Sequence, residues 1–328
     1  MAKKMYKTGF TLGKFAPLHK GHQLLIETAL AECEEVIVLI YETRVIDVPL
    51  ATRANWIRKL YPQVKVIEGP WDGPEGHSSE RAHEKMHEDY CRILLDGAKV
   101  DAFYSSEFYG AHMAKALGAA DRRVDEARLT VPVSGTAVRL DPFAMKEFVD
   151  PLVYRDLITK VCFLGAPSTG KTTLTRALAE RFGTSCAMEY GREYWAEHQK
   201  NRRLEPWELE KIAVIHQERE EEAFAQAIGV CFVDTIAITT YMFALDYHGS
   251  ATPELERLAK ENAQRYDYFF LCEDDIPYDD TWDRSGDQKR GEFQRRIKAD
   301  LDAREIPYME LRGGLEERVA QVERVLGR

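Results

Sequence analysis

The residues with the clearest chemical meaning lie at positions 165 to 172, where the sequence reads Gly-Ala-Pro-Ser-Thr-Gly-Lys-Thr. An apolar run precedes them and a helical pattern follows, which is the strand–loop–helix context of a P-loop. Glycines let backbone N–H groups turn toward one phosphate, and the helix N-terminus adds positive potential there. We therefore predict a nucleoside triphosphate site, with the lysine on the outer phosphates and the threonine hydroxyl on Mg²⁺. Its members are Gly165, Ser168, Thr169, Gly170, Lys171, Thr172 and Thr173.

A carboxylate follows the apolar run 230–233, at Asp234. In P-loop enzymes an Asp at such a strand end contacts Mg²⁺ or serves as a base for the attacking hydroxyl. The alternative is an Asp that only caps the strand. We predict that Asp234 is catalytic and shares the metal with Thr172.

The first half of the chain has its own anion-binding pattern. Positions 13 to 22 read Gly-Lys-Phe-Ala-Pro-Leu-His-Lys-Gly-His, and two histidines at a helix start can donate ring N–H groups to a phosphate that Gly21 lets approach. Further along, Ser134 and Thr136 can cap a helix, and Arg139 can hold a phosphate bidentately. Each pattern alone is a turn or a helix start, whereas the two together predict a second triphosphate site.

Parallel sheets must position these loops. Apolar runs at 8–12, 35–40, 64–67 and 102–105 alternate with helical patterns, and the alternation resumes from residue 161. Such alternation implies parallel sheets covered on both faces. We predict an α/β protein of two domains, residues 1–150 and 157–328, each with a mainly parallel sheet.

Composition narrows the class of protein. The net charge of −10 over 328 residues argues against a nucleic-acid partner. The six cysteines form no C-x-x-C pair and are typical of small buried side chains in a reducing compartment. The N-terminus shows no signal-peptide pattern, and no apolar run approaches the roughly 20 residues of a membrane helix. We expect a cytoplasmic protein that is not embedded in a membrane; no oligomeric state follows from the sequence.

The motifs resemble a known family. Through positions 13–22 and 134–139, the first half resembles the His-x-Gly-His nucleotidylyltransferases, specifically nicotinamide mononucleotide adenylyltransferase. Joined to a P-loop half, it is similar to the bifunctional NadR-type family, which adds a ribosylnicotinamide kinase. The resemblance covers nearly the whole chain and implies a Rossmann-like nucleotidylyltransferase domain followed by a P-loop kinase domain. We find no pattern for the DNA-binding helix-turn-helix of some members and expect no repressor role.

For the first domain the resemblance implies attack of the mononucleotide phosphate on the α-phosphorus of ATP, with catalysis by positioning and charge stabilisation. It assigns His19 and His22 to the ATP phosphates, and Lys14 and Arg139 to the leaving pyrophosphate. The other implied ATP contacts are Gly13, Phe15, Gly21, Ser134 and Thr136. The implied mononucleotide contacts are Arg53, Trp56 and Trp71, the last stacking on nicotinamide.

For the second domain the resemblance implies phosphorylation of nicotinamide riboside by ATP with Mg²⁺. The acceptor-binding stretch would comprise Glu189, Tyr190, Arg192 and Glu193. Arg284 lies in a polar segment that resembles a mobile lid over the γ-phosphate. The sequence departs from the family at Ile236, because the usual pattern is Asp-Thr-Asp and this chain reads Asp-Thr-Ile.

Two other interpretations stay open. A pantetheine-phosphate adenylyltransferase fused to a dephospho-coenzyme A kinase would also join these two domain types. A nucleotide sensor that regulates a partner, such as a riboside transporter, would fit the lost carboxylate at position 236. The acceptor stretch and positions 53–56 favour a NAD salvage enzyme whose partners are the riboside, the mononucleotide and ATP, and which could cooperate with such a transporter.

Overall fold

The computed structural model describes residues 4–70, 81–107, 110–200, 203–278 and 287–327. The chain divides into two compact units, Met1–Leu157 and Ile158–Arg328. Each unit contains one five-stranded sheet in which every pairing is parallel. The predicted α/β fold class, with a parallel sheet in each half, is confirmed.

The first unit is built around its first strand. Its strands are β1 (Tyr6–Gly13), β2 (Cys33–Tyr41), β3 (Lys65–Gly69), β4 (Ala102–Ser105) and β5 (Ala120–Arg123), in the sheet order β3-β2-β1-β4-β5. Its helices are α1 (Lys20–Glu32), α2 (Leu50–Leu60), α3 (Arg81–Leu95), α4 (Gly110–Leu117), α5 (Gly135–Leu140) and α6 (Pro151–Tyr154). The last six residues of β2 are all buried, as expected of a parallel strand with helices on both faces.

The second unit repeats this design with different connections. Its strands are β6 (Thr159–Leu164), β7 (Cys186–Ala187), β8 (Val230–Asp234), β9 (Tyr268–Cys272) and β10 (Met309–Leu311), in the order β10-β9-β6-β8-β7. Its helices are α7 (Lys171–Phe182), α8 (Tyr190–His198), α9 (Pro206–Gln226), α10 (Ala237–His248), α11 (Pro253–Glu261), α12 (Asp287–Ala303) and α13 (Leu315–Val325). Phe163 of β6 stacks on Phe232 of β8 and on Phe270 of β9, so one ring ladder joins the three central strands.

In both units the first strand is therefore central, and a glycine loop leaves its carboxyl end. Ligands of open parallel sheets bind in the crevice outside the carboxyl ends of the strands. This topology places both predicted phosphate loops at the edge where such crevices form.

Among the described residues, no helix is long and apolar enough to cross a membrane. The six cysteines are free, and all except Cys186 are buried. Burial raises the pKa of the Cys272 thiol to about 11, so it is a thiol and not a thiolate at neutral pH. The cysteines therefore behave as the small apolar side chains that their positions in strand-like runs predict.

Candidate active sites

The phosphate loop of the second unit is bent by residues in the left-handed region of backbone space. Gly165, Ser168 and Gly170 have φ values of 142°, 64° and 82°. A side chain at Gly165 would be strained, and its Cβ would lie 2.6 Å from the carbonyl oxygen of Cys272. Gly170 is the N-cap of α7, so the loop ends at a helix N-terminus. This combination forms an anion-binding concavity.

Lys171, the first residue of α7, is largely buried beside this loop. Its Nζ donates to the carbonyl oxygens of Gly165 at 2.8 Å and Ala166 at 2.9 Å. These contacts keep the ammonium group within the loop, where a phosphate-neutralising lysine is needed.

Side chains from two distant helices hold the loop in shape. Gln294 of α12 accepts from the Ala166 N–H at 2.8 Å and donates to the carbonyl of Cys272 at 3.0 Å. The buried Arg318 of α13 donates to the carbonyl of Thr169 and, at 3.0 Å, to that of Glu273. Such supporting contacts fix a site to the geometry that chemistry requires.

Asp234 lies fully buried at the carboxyl end of β8. The Thr172 hydroxyl donates to its Oδ2 at 2.6 Å, so the two predicted metal ligands are neighbours. Carboxylate and hydroxyl oxygens are the donors that Mg²⁺ prefers, and this pair beside a phosphate loop fits that ion.

A cavity of about 480 Å³ lies in the second unit, next to the strand end. Its aromatic lining residues are Tyr190, Trp195, Phe243, Tyr247 and Phe293. Its charged lining residues are Glu189, Arg192, Arg203, Asp246, Glu292 and Arg296. Flat apolar walls with a few polar groups are typical of small-molecule sites.

In the first unit, two histidines stack at the start of α1. His19 is the N-cap, His22 lies one turn on, and their ring centroids are 3.7 Å apart. The His22 Nδ1 accepts from the His19 backbone N–H at 3.4 Å. The His19 Nδ1 is buried and has no hydrogen-bond partner among the described residues. Gly21 makes room for this ring, because a Cβ there would lie 3.1 Å from it.

Burial makes both imidazoles neutral. It lowers the pKa of His19 to about 4, with the Arg128 guanidinium adding to the effect. Burial also lowers the pKa of His22 well below its usual range, and the neighbouring His19 and Arg128 lower it further. A buried polar atom without a partner in a cationic surrounding is suited to an anionic ligand.

The segment after β5 completes this site. Ser134 is the N-cap of α5, and its hydroxyl accepts from the Ala137 N–H at 3.1 Å. Arg139 donates to the carbonyl of Ala16 at 2.6 Å and to the Thr136 hydroxyl at 3.1 Å. The structure thus joins the two anion-binding patterns of the first half, as the sequence predicts they should be joined.

Arg128 is a site residue that the sequence analysis did not single out. It has a φ of 52° in a turn closed by Asp125, whose carboxylate accepts from the N–H groups of Thr130 at 2.9 Å and Val131 at 2.8 Å. Its charge acts on both histidines. No helical or strand pattern in the sequence marks this arginine.

Comparison with known proteins gives one family model for each half of the chain. A cytidylyltransferase-like family model matches residues 10–140, and an AAA domain model matches residues 160–318. The trifunctional NAD biosynthesis/regulator protein NadR of Escherichia coli (strain K12) is 29% identical over 320 residues, covering 92% of this chain and 78% of that protein.

Solved structures share the fold. A NadR protein in complex with NAD and AMP-PNP has a TM-score of 0.58 at 22% identity, covering 99% of this chain and 98% of that one. A NadR protein in complex with NR has a TM-score of 0.57 at 21% identity, covering 100% and 98%. The chain is therefore similar to NadR proteins along nearly its whole length.

Two residues predicted to contact the mononucleotide are interior. The fully buried Arg53 donates to the carbonyls of Val48 at 3.0 Å and Tyr41 at 3.2 Å, to that of Lys14, and to the Glu42 carboxylate at 2.9 Å. Its guanidinium therefore holds the loop that carries Lys14.

Trp56 is likewise buried, and its Nε1 donates to the Asp156 carboxylate at 2.8 Å. Its indole packs inside the unit, so the predicted contact with the mononucleotide is corrected to a structural role. Phe15, with a φ of 43°, is also buried and packs edge-on against His22 at 5.0 Å. It shapes the histidine pair and presents no exposed ring to ATP.

Only three of the four residues predicted to bind the acceptor line the cavity. Glu189, Tyr190 and Arg192 line the cavity, whereas Glu193 forms an ion pair with Arg219 at 2.8 Å on the surface. Glu193 is not among the described residues that line the cavity.

Four further positions were singled out in the sequence. Ile236 is fully buried as the N-cap of α10 and is not among the described residues that line the cavity. Thr173 is exposed on α7. Trp71 and Arg284 lie outside the described residues.

Proposed function

We propose that this chain makes NAD from nicotinamide riboside in two successive ATP-dependent steps. The observation that carries the proposal is that two separate glycine loops with candidate phosphate-binding residues each follow directly after the central first strand of their own unit. The relatives support it, since the E. coli protein is named for NAD biosynthesis and the NadR structures hold NAD, AMP-PNP and NR.

The second unit would phosphorylate the riboside. The primary hydroxyl of the riboside attacks the γ-phosphorus of ATP, the bond to the β–γ bridging oxygen breaks, and ADP leaves with the mononucleotide as product. Lys171 and the loop N–H groups bind the phosphates. The aromatic walls of the cavity accept the pyridine ring, and its carboxylates accept the ribose hydroxyls. Thr172 and Asp234 would hold Mg²⁺, which neutralises phosphate charge when bound.

The first unit would transfer the adenylyl group. The mononucleotide phosphate attacks the α-phosphorus, the α–β bridging bond breaks, and pyrophosphate leaves with NAD formed. His19 and His22, held neutral by burial, donate ring N–H groups to the phosphates, while Arg128, Arg139 and Lys14 supply positive charge. No covalent intermediate is required, since positioning and charge stabilisation carry the reaction.

The experiment is product analysis by mass spectrometry after mixing the protein with the riboside, ATP and Mg²⁺. We expect NAD together with ADP and pyrophosphate. Lys171→Ala should abolish riboside phosphorylation and keep NAD formation from added mononucleotide, and His22→Ala should do the reverse. Each variant is thus the matched control of the other.

Two results would contradict the proposal. Turnover of neither the riboside nor the mononucleotide by the folded wild-type protein would favour a sensor. Loss of both activities in a folded single variant would show that the two reactions share one site.

A further inference from the structure

His216, on α9, connects two backbone groups that belong to different elements of the second unit. It is buried, with one edge on the cavity. Its Nδ1 accepts from the N–H of Tyr190, the first residue of α8, at 3.4 Å. Its Nε2 lies 2.9 Å from the carbonyl oxygen of Thr235. A carbonyl only accepts and an amide N–H only donates, so the ring is a neutral imidazole with its proton on Nε2.

Thr235, the residue after the buried Asp234, has a φ of 69°. A β-branched side chain in this left-handed region is an outlier and persists only where the surroundings enforce it. Two backbone hydrogen bonds do so here: its N–H donates to the carbonyl of Phe163 at 3.1 Å, and its carbonyl accepts from His216. The imidazole therefore helps to hold the turn that leads from the metal-ligand Asp234 into the cavity wall.

The imidazole is itself supported from the side away from the cavity. The Glu220 carboxylate, almost fully buried, lies 3.4 Å from Nε2 and accepts from the Nε of Arg265 at 2.8 Å. This buried line, Arg265–Glu220–His216, fixes the ring before any ligand enters. A preorganised ring of this kind is what a positioning residue requires.

We propose that His216 is a positioning residue for acceptor phosphorylation. It holds the start of the acceptor helix α8 through Tyr190 and the strained turn after Asp234 through Thr235, and so sets the distance between the acceptor and the phosphate loop. The inference rests on the proposed kinase function of the second unit and deepens it. No sequence pattern distinguishes this histidine from the other residues of a long helix.

Two substitutions separate its two contacts. In His216→Gln the side-chain amide replaces Nε2 and can still donate to Thr235, whereas in His216→Asn the amide oxygen replaces Nδ1 and can still accept from Tyr190. His216→Leu removes both. We expect His216→Leu to lower kcat for riboside phosphorylation by about 10- to 100-fold, as loss of an orienting side chain does. His216→Gln should recover most of kcat, and His216→Asn should mainly recover the KM for the riboside.

The adenylyl transfer of added mononucleotide, measured in the same samples, is the matched control and should not change. A merely structural role for His216 predicts equal losses in all three variants with no split between kcat and KM. That result would overturn the proposal.

A second variant tests the strained turn directly. Thr235→Gly adopts a positive φ without help, so the loss of kcat caused by His216→Leu should be several-fold smaller in a Thr235→Gly background. An unchanged loss would show that His216 does not act through this turn.

Selective ¹⁵N labelling of histidine gives a readout that needs no turnover. We expect one resonance pair at neutral pH to show the neutral Nε2–H tautomer and to disappear in His216→Gln. An Nδ1–H or doubly protonated ring would overturn the proposal. If wild type lacks riboside phosphorylation while this tautomer is present, the proposed function fails and the geometry inferred for His216 stands.

Discussion

The neutral histidine pair predicts a specific loss of stability in acid. The folded-state pKa of His19 is lowered from 6.5 to about 4. Between these values the unfolded chain binds a proton that the folded chain does not, so the stability contributed by the neutral ring is complete above about pH 6.5 and is lost as pH falls toward 4. Going from pH 8 to pH 5 should remove about 2 kcal/mol through His19 alone. The lowered pKa of His22 adds to the loss with the same sign.

Hydrogen exchange measured by mass spectrometry on the full chain can follow this loss, because peptides from β1 and β2 report the opening of the first unit without reference to the second. The control is the double variant His19→Asn, His22→Gln. It replaces the N-cap and the third helical residue with types that favour those positions, and neither titrates. We expect the wild-type opening free energy to fall more steeply with acid than that of the variant. Equal slopes between pH 7 and pH 5 would refute the assignment of two buried neutral imidazoles.

Three other perturbations test the supports of the sites. Arg53→Met should lower the unfolding free energy of the first unit by about 3 kcal/mol, since it leaves buried carbonyls without donors; thermal unfolding at constant pH measures this, and an unchanged midpoint would contradict it. Gly165→Ala should abolish riboside phosphorylation, because the added Cβ would lie 2.6 Å from a backbone oxygen. Its control is Gly183→Ala, where nothing lies within 4 Å of the added Cβ; this variant should lose only about 1 kcal/mol of stability. Arg318→Met should raise the KM for ATP in that reaction, because it removes the contact to Thr169 of the phosphate loop. Mononucleotide adenylylation should be unaffected, because the partners Thr169, Glu273 and Asp275 all lie in the second unit; equal losses in both reactions would argue for general unfolding.

Local patterns predict the parts of this molecule whose structure is decided locally. The P-loop and the start of α1 follow from glycines and helix starts at fixed spacing. The structure places Lys171 against the carbonyls of its loop, Asp234 beside Thr172, and the two histidines in one stack. The central strands can be predicted from apolar runs, because a strand that is buried on both faces consists almost entirely of apolar residues.

The sequence does not predict the elements whose secondary structure depends on tertiary contacts. β5 reads Ala-Asp-Arg-Arg, and no strand pattern marks a polar edge strand that pairs on one side only. α10 is apolar around most of its circumference, and a buried helix of this kind lacks the periodicity that identifies a surface helix.

The roles of single residues also depend on tertiary contacts that the sequence does not show. From the sequence, an arginine or a tryptophan near a nucleotide loop could equally bind a ligand or pack in the interior. Only the hydrogen bonds from Arg53 to the surrounding carbonyls show that it has a structural role. Ile236 raised the question of an impaired kinase; the structure buries this side chain, and it is not among the described residues that line the cavity. The role inferred for His216 depends on a backbone dihedral in another element, which no residue type specifies.

The contact between Arg139 and the carbonyl of Ala16 has a consequence for synthesis of the chain. The two residues are 123 positions apart, and the intervening strands must pair before they meet. The loop with His19 and His22 leaves the ribosome early, yet its charged partner follows only after nearly the whole first unit has been translated. A nascent or truncated chain that stops before this arginine therefore carries the histidines without the contact that joins the two anion-binding segments of the first unit.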